Sequence, residues 1–75
     1  MLSTYIDKSA SIAISSHVSN NSVVGLNTVI DANSTINSSV IGERCTIGKN
    51  VNIINSIIDK NVVVGDNCMI SNAII

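Results

Sequence analysis

The chain predicts an all-β fold of the parallel β-helix kind, and three observations carry that prediction. An aliphatic residue recurs about every six positions along almost the whole sequence. A compact residue stands two positions before each aliphatic one, and Gly, Asp or Asn cluster between them. The composition agrees: Phe, Trp and Pro are absent, Tyr5 is the single aromatic, and Ile, Val, Ser and Asn dominate. β-Branched residues favour strands, while Asn tolerates the left-handed backbone of tight corners.

The aliphatic series runs Ile6, Ile12, Val18, Val24, Ile30, Ile36, Ile41, Ile47, Ile53, Ile58, Val64, Ile70 and Ile75. The compact series runs Thr4, Ala10, Ser16, Ser22, Thr28, Ser34, Ser39, Cys45, Val51, Ser56, Val62, Cys68 and Ala73. Residues two apart on a strand point to one face, so both series are predicted to face inward. The aliphatic side chain fills the centre, and the compact one fits where two walls converge. Directly after the aliphatic residues come Asp7, Gly25, Asp31, Gly42, Gly48, Asp59 and Gly65, and two positions further on stand Asn27, Asn33, Asn50, Asn61 and Asn67. Both sets are predicted to lie at corners, where Gly and Asn turn the backbone without strain.

From Val24 onward the aliphatic intervals repeat as six, six, five. Three short strands therefore make one coil, one corner per coil is a residue short, and the coil is mostly seventeen residues long. Residues seventeen apart should stack, so Val24, Ile41, Ile58 and Ile75 form one ladder, and Ile30, Ile47 and Val64 another. The first coil, Ile6 to Val24, keeps eighteen. About four coils result, in a single domain spanning 1–75, and register is fixed on every wall.

A formal net charge of −1 leaves no electrostatic footprint for nucleic acid or an anionic membrane. No apolar run reaches the length of a membrane span, and the first residues lack the basic and apolar segments of a signal peptide. The expected location is therefore the cytoplasm. Asn20, Asn33 and Asn37 head N-x-S/T triplets, which carry meaning only behind a secretion signal. Two cysteines are too few for a disulfide scaffold.

The order aliphatic, Gly or Asp, two variable residues, small residue and one more resembles the hexapeptide-repeat, left-handed parallel β-helix family over residues 4–75. The left hand is implied by that resemblance alone, since general chirality favours right-handed crossovers. The stretches Asn21-Ser-Val-Val-Gly, Ser38-Ser-Val-Ile-Gly-Glu-Arg-Cys-Thr-Ile-Gly, Asn55-Ser-Ile-Ile-Asp and Val62-Val-Val-Gly-Asp-Asn-Cys are similar to the C-terminal β-helix of nucleotidyltransferase-like subunits. These include sugar-nucleotide pyrophosphorylases and the gamma and epsilon subunits of eukaryotic translation initiation factor 2B. The repeats look most like the gamma type. The resemblance implies a non-catalytic assembly module that pairs with an epsilon-like protein subunit, with self-association as a further option. No cofactor, nucleic acid, membrane or small-molecule partner is expected on this segment. The alternatives it leaves are the regulatory β-helix of a pyrophosphorylase and a fragment of a hexapeptide acyltransferase.

Chemistry within the chain is sparse. Acyltransferases of this type use a histidine at an intersubunit cleft and a loop expelled from one coil. His17 is the single histidine, it precedes inward Val18 and so points outward, and every interval is five or six, leaving no expelled loop. General-base work also needs an orienting partner. The β-helical carbonic anhydrases use three histidines for zinc, so no metal site is expected. Cys45 and Cys68 occupy compact inward positions in different columns and are expected to be buried, reduced and inert. Gly25, Gly42, Gly48 and Gly65 are spread through the repeat, and none opens a phosphate-cradling helix.

The informative residues face outward, directly before the inward aliphatics. One column reads Val23, Val40, Ile57 and Ile74, a second reads Val29, Thr46 and Val63, and a third reads Thr35, Asn52 and Met69. The first is wholly aliphatic, so it is the candidate contact surface, with Val29 and Val63 as neighbouring candidates. The polar third column shows that the fold does not require apolar residues there. Asn21, Ser38, Asn55 and Asn72 mark the shortened corner and are expected to stack along the axis. No outward column is a threonine array of the ice-binding kind. The last coil ends on inward Ile75, so the chain is expected to continue beyond it or to be covered by a partner.

Overall fold

Tight alternation of inward and corner residues leaves room only for strands two or three residues long, and that is what forms. The computed structural model describes residues 4–75. The strands are β1 (Tyr5–Ile6), β2 (Ser11–Ile12), β3 (His17–Ser19), β4 (Val23–Val24), β5 (Val29–Ile30), β6 (Thr35–Asn37), β7 (Val40–Ile41), β8 (Thr46–Ile47), β9 (Asn52–Ile54), β10 (Ile57–Ile58), β11 (Val63–Val64) and β12 (Met69–Ser71). They assemble into three parallel four-stranded walls. Wall A is β1-β4-β7-β10, wall B is β2-β5-β8-β11 and wall C is β3-β6-β9-β12. Each coil visits A, B and C in turn, which is a three-walled β-solenoid.

The register follows the spacing of the aliphatic series. In the first coil Tyr5 pairs with Val23, Ser11 with Val29 and His17 with Thr35, all eighteen apart. Above it Val23 pairs with Val40, Val29 with Thr46 and Thr35 with Asn52, all seventeen apart. The extra residue is accommodated at the corner between walls C and A. There Asn20 and Asn21 both take the left-handed conformation, where later coils use only Ser38, Asn55 or Asn72.

Val24, Ile30, Ile36, Ile41, Ile47, Ile53 and Ile58 lose essentially all contact with solvent and form the central column. End coils have a neighbour on one side only, so Ile6 and Ile75 stay exposed and Ile12, Val18 and Ile70 are half-buried. The same effect corrects the expectation for Cys68. Its thiol is exposed although its position faces inward, whereas Cys45, with coils on both sides, is buried. Cys68 stacks over Val51 rather than Cys45, as the Asn52–Met69 pairing requires, and both thiols are free.

The compact inward residues do more than fit. Ser39 Oγ donates to Asn37 O at 2.8 Å and accepts from Ser56 N, one coil higher, at 3.0 Å. Ser22 likewise donates to Ser19 O and accepts from Ser39 N, while Ser56 donates to Ile54 O and accepts from Ala73 N. At the other two corners Thr28 and Ser34 bridge to Gly42 O and Gly48 O, and receive Cys45 N and Val51 N. Each hydroxyl thus satisfies a corner amide that would otherwise be buried without a partner. No buried side-chain nitrogen or oxygen among the described residues lacks a partner.

The corners themselves divide the work differently from expectation. Left-handed φ falls on Asn27, Asn33, Asn50, Asn61 and Asn67, and on Arg44, while no glycine has positive φ. The glycines are needed for space instead. A Cβ on Gly42 would sit 2.9 Å from the backbone carbon of Asp59 and the nitrogen of Lys60. One on Gly25 would meet Gly42 C and O at 2.8 Å, and one on Gly48 would strike the Asp66 carboxylate. Gly65 has open space around it. Arg44 holds a conformation that costs an ordinary side chain about 1–2 kcal/mol. Its guanidinium Nε donates to Asn61 Oδ1 at 3.0 Å, and it pairs with Glu43 at 3.3 Å.

Two substitutions test this packing. Ile47→Ala should lower the unfolding free energy by about 2–5 kcal/mol, because coils above and below hold the void open; a urea melt showing a much smaller loss would refute the stacking. Gly42→Ala should destabilise by about 1–3 kcal/mol through overpacking, whereas Gly65→Ala should be neutral or stabilise by up to about 1 kcal/mol. Equal midpoints for these two variants would contradict the close approach at Gly42.

Candidate protein-interaction surface

Wall A has an outer column as continuous as its inner one. Tyr5, Val23, Val40, Ile57 and Ile74 lie on successive coils in direct lateral register. Parallel pairing dictates this: each outward residue sits over its counterpart one coil below, so an apolar choice repeated at one strand position becomes a stripe. Val23 is half-buried, and exposure then rises through Val40 at 40%, Ile57 at 48% and Ile74 at 82%. Tyr5, 59% exposed, extends the stripe at its lower end and had not been grouped with it by sequence reasoning. The eighteen-residue offset of the first coil is the signal that would have placed it.

Val29 and Val63 lie on wall B, on the far side of the corner between walls A and B. Exposed Thr46 stands between them, so they do not join the stripe. Wall C presents His17, Thr35, Asn52 and Met69 in one column. His17 is exposed there, and among the described residues its imidazole makes no hydrogen bond or ion pair with an orienting group. No pocket opens among the described residues, and they hold no group of three or more His, Cys, Asp or Glu side chains able to grip a metal ion. Among the described residues no helix is long and apolar enough to cross a membrane.

Along the corners, side-chain amides bridge successive coils. Asn20 Nδ2 donates to Asn37 Oδ1 at 3.0 Å, and Asn50 Nδ2 to Asn67 Oδ1 at 3.2 Å. At the shortened corner the backbone also links coils, with Asn55 N donating to Asn37 O and Asn72 N to Ile54 O.

Charge is distributed more sharply than the formal total suggests. Asp7, Lys8, Glu43, Arg44, Asp59 and Lys60 lie on the corner between walls A and B, and Asp31, Lys49 and Asp66 on the corner between B and C. Among the described residues the corner between C and A carries no Asp, Glu, Lys or Arg, and neither does any wall; His17 stands on wall C. At the lower end of wall A, Asp7 accepts hydrogen bonds from Ser9 N at 3.0 Å, Ser9 Oγ at 2.5 Å and Tyr5 Oη at 3.1 Å. Ser9 Oγ in turn accepts from Asn27 N at 2.8 Å, tying the first coil to the second. The bonds from Ser9, more than that from Tyr5, hold the Asp7 carboxyl below its ordinary value of 3.8. The same carboxylate, by accepting the phenol's proton in a hydrogen bond, raises Tyr5 above 10.0.

A lowered carboxyl stabilises the fold above its unfolded value, and that contribution is lost as pH falls through the lower folded value. A raised phenol stabilises below its unfolded value, and its contribution is lost as pH rises through the higher folded one. Asp7→Asn should therefore flatten the stability profile at both extremes, acid and alkaline, while leaving the slope near neutrality unchanged. Thermal melts across pH read this directly; an unaltered acid limb would show that the Asp7 network does not survive in solution.

No curated protein matches this chain. The family model that matches residues 2–75 is described as the EIF2B subunit epsilon LbH domain. The resemblance of the repeats had pointed within the same factor to the gamma type, whereas the matching model is that of epsilon. Six-residue repeats, three parallel walls and a match over almost the full length agree with one another: the chain belongs to the family of the EIF2B subunit epsilon LbH domain, a β-helix domain of a translation initiation factor.

Proposed function

We propose that the chain is a non-catalytic assembly module of the guanine-nucleotide exchange factor for translation initiation, acting in the cytoplasm. In this reading wall A seats against the sister β-helix-bearing subunit of that complex. The single observation that carries it is the unbroken apolar column Val23, Val40, Ile57 and Ile74, in a fold whose third column is built from Thr35, Asn52 and Met69 at the same strand position. An exposed stripe of this kind is the signature of a contact surface. The family match supplies the context of a multisubunit initiation factor. Nucleotide exchange is then carried out elsewhere in the complex, and this domain orients its parent chain. A chain of the gamma type would pair with epsilon, and one of the epsilon type with gamma.

Val40→Glu and Ile57→Glu place a carboxylate at the centre of the stripe without touching the inward rungs. Both variants should melt within a few degrees of the parent and lose co-purification with the sister subunit, since a desolvated, unpaired charge is heavily penalised. Retention of both the gamma and epsilon subunits by the double variant at parental levels would overturn the reading.

A further inference from the structure

Resting on the reading that wall A is an assembly surface, we infer that the contact continues around the uncharged corner between walls C and A onto wall C. The partner is therefore a protein with an uncharged concave surface that embraces this edge, rather than one with a flat face laid on wall A.

A stable interface of standard size takes roughly 800 Å² from each partner. The whole described surface is 4324 Å², so such a contact consumes nearly a fifth of it. Five side chains, of which Val23, Val40 and Ile57 are already about half covered or more, do not supply that area. The contact must spread past wall A, and around the circumference two directions are open to it. Toward wall B it meets Asp7, Lys8, Glu43, Arg44, Asp59 and Lys60, whose desolvation opposes association. Toward wall C it meets Ser38, Asn55 and Asn72 at the corner and then the column His17, Thr35, Asn52 and Met69, without a carboxylate, lysine or arginine. Interface centres are depleted of charged residues and enriched in Met, and Met69 is 70% exposed. Neutral amides and hydroxyls at the corner can exchange water for partner groups at low cost. A wedge of two walls meeting at an edge fits a groove, so the partner must be concave there.

The test uses two lysines at equivalent outward strand positions of the full chain: Asn52→Lys on wall C and Thr46→Lys on wall B. Binding to the purified epsilon and gamma subunits is measured by titration beside Val40→Glu, with thermal melts to establish equal folding. Asn52→Lys should weaken binding by about tenfold or more, as buried interfacial charges do, and Thr46→Lys should leave it unchanged. Binding should also change less than about twofold between about 50 and 500 mM salt, since no charged corner takes part. If Val40→Glu weakens binding and Asn52→Lys does not, the extension onto wall C is overturned while the assembly reading stands. If neither variant weakens binding, both fail. A salt dependence of tenfold or more would place a charged corner in the contact and overturn the inference by itself.

Discussion

Every level of this molecule depends on one residue lying directly over its counterpart in the next coil. Parallel pairing at an offset of seventeen converts a one-dimensional repeat into columns, and each column then has a single physical task. Inward aliphatic columns exclude water, compact columns bridge corner amides through hydroxyls such as Ser39 and Ser56, and left-handed columns of Asn turn the chain. Because the strands are only two or three residues long, no wall could hold its register alone. The three walls hold it together, since a slip in one would lift all three aliphatic ladders out of alignment.

Stacking also explains why function has to appear on the outside. The centre is filled by Ile and Val, and the vertices by compact side chains such as the serines, Thr28, Cys45 and Val51. Gly42 shows how little room remains, with backbone of the next coil within 3 Å of where a methyl would sit. Among the described residues the stacked interior holds no cavity. What the solenoid offers is straight, evenly spaced surface columns, and wall A differs from the others in making its column wholly apolar.

Much of this was legible from the sequence, because a column is a period. The aliphatic series, the seventeen-residue coil, the eighteen-residue first coil and the Asn corners all appear as spacings, and the structure retains each of them. Other features depend on what a residue meets. Serine at a compact position is explained equally by size and by hydrogen bonding, so its role as a bridge emerges only when Ser56 N is seen 3.0 Å from Ser39 Oγ. The glycines look like flexible corners in the sequence, yet none has positive φ, and at Gly25, Gly42 and Gly48 the reason for glycine is close approach between coils. Cys68 shares its inward position with Cys45 but not its burial, which is set by the coil above. Arg44 carries a backbone conformation that its side chain does not advertise. The charge-free edge was present in the letters throughout, but only folding brings residues from four coils into one uncharged surface.

The doubled corner at Asn20 and Asn21 shows where this architecture tolerates change. Strands on either side of it still pair position for position, eighteen apart instead of seventeen, so one added residue was absorbed entirely at a vertex. Vertices are thus the seams of the solenoid, where chain length can vary while each flat side keeps its pattern. A lineage can lengthen a coil there, or graft a loop, without redrawing the surface that a partner reads.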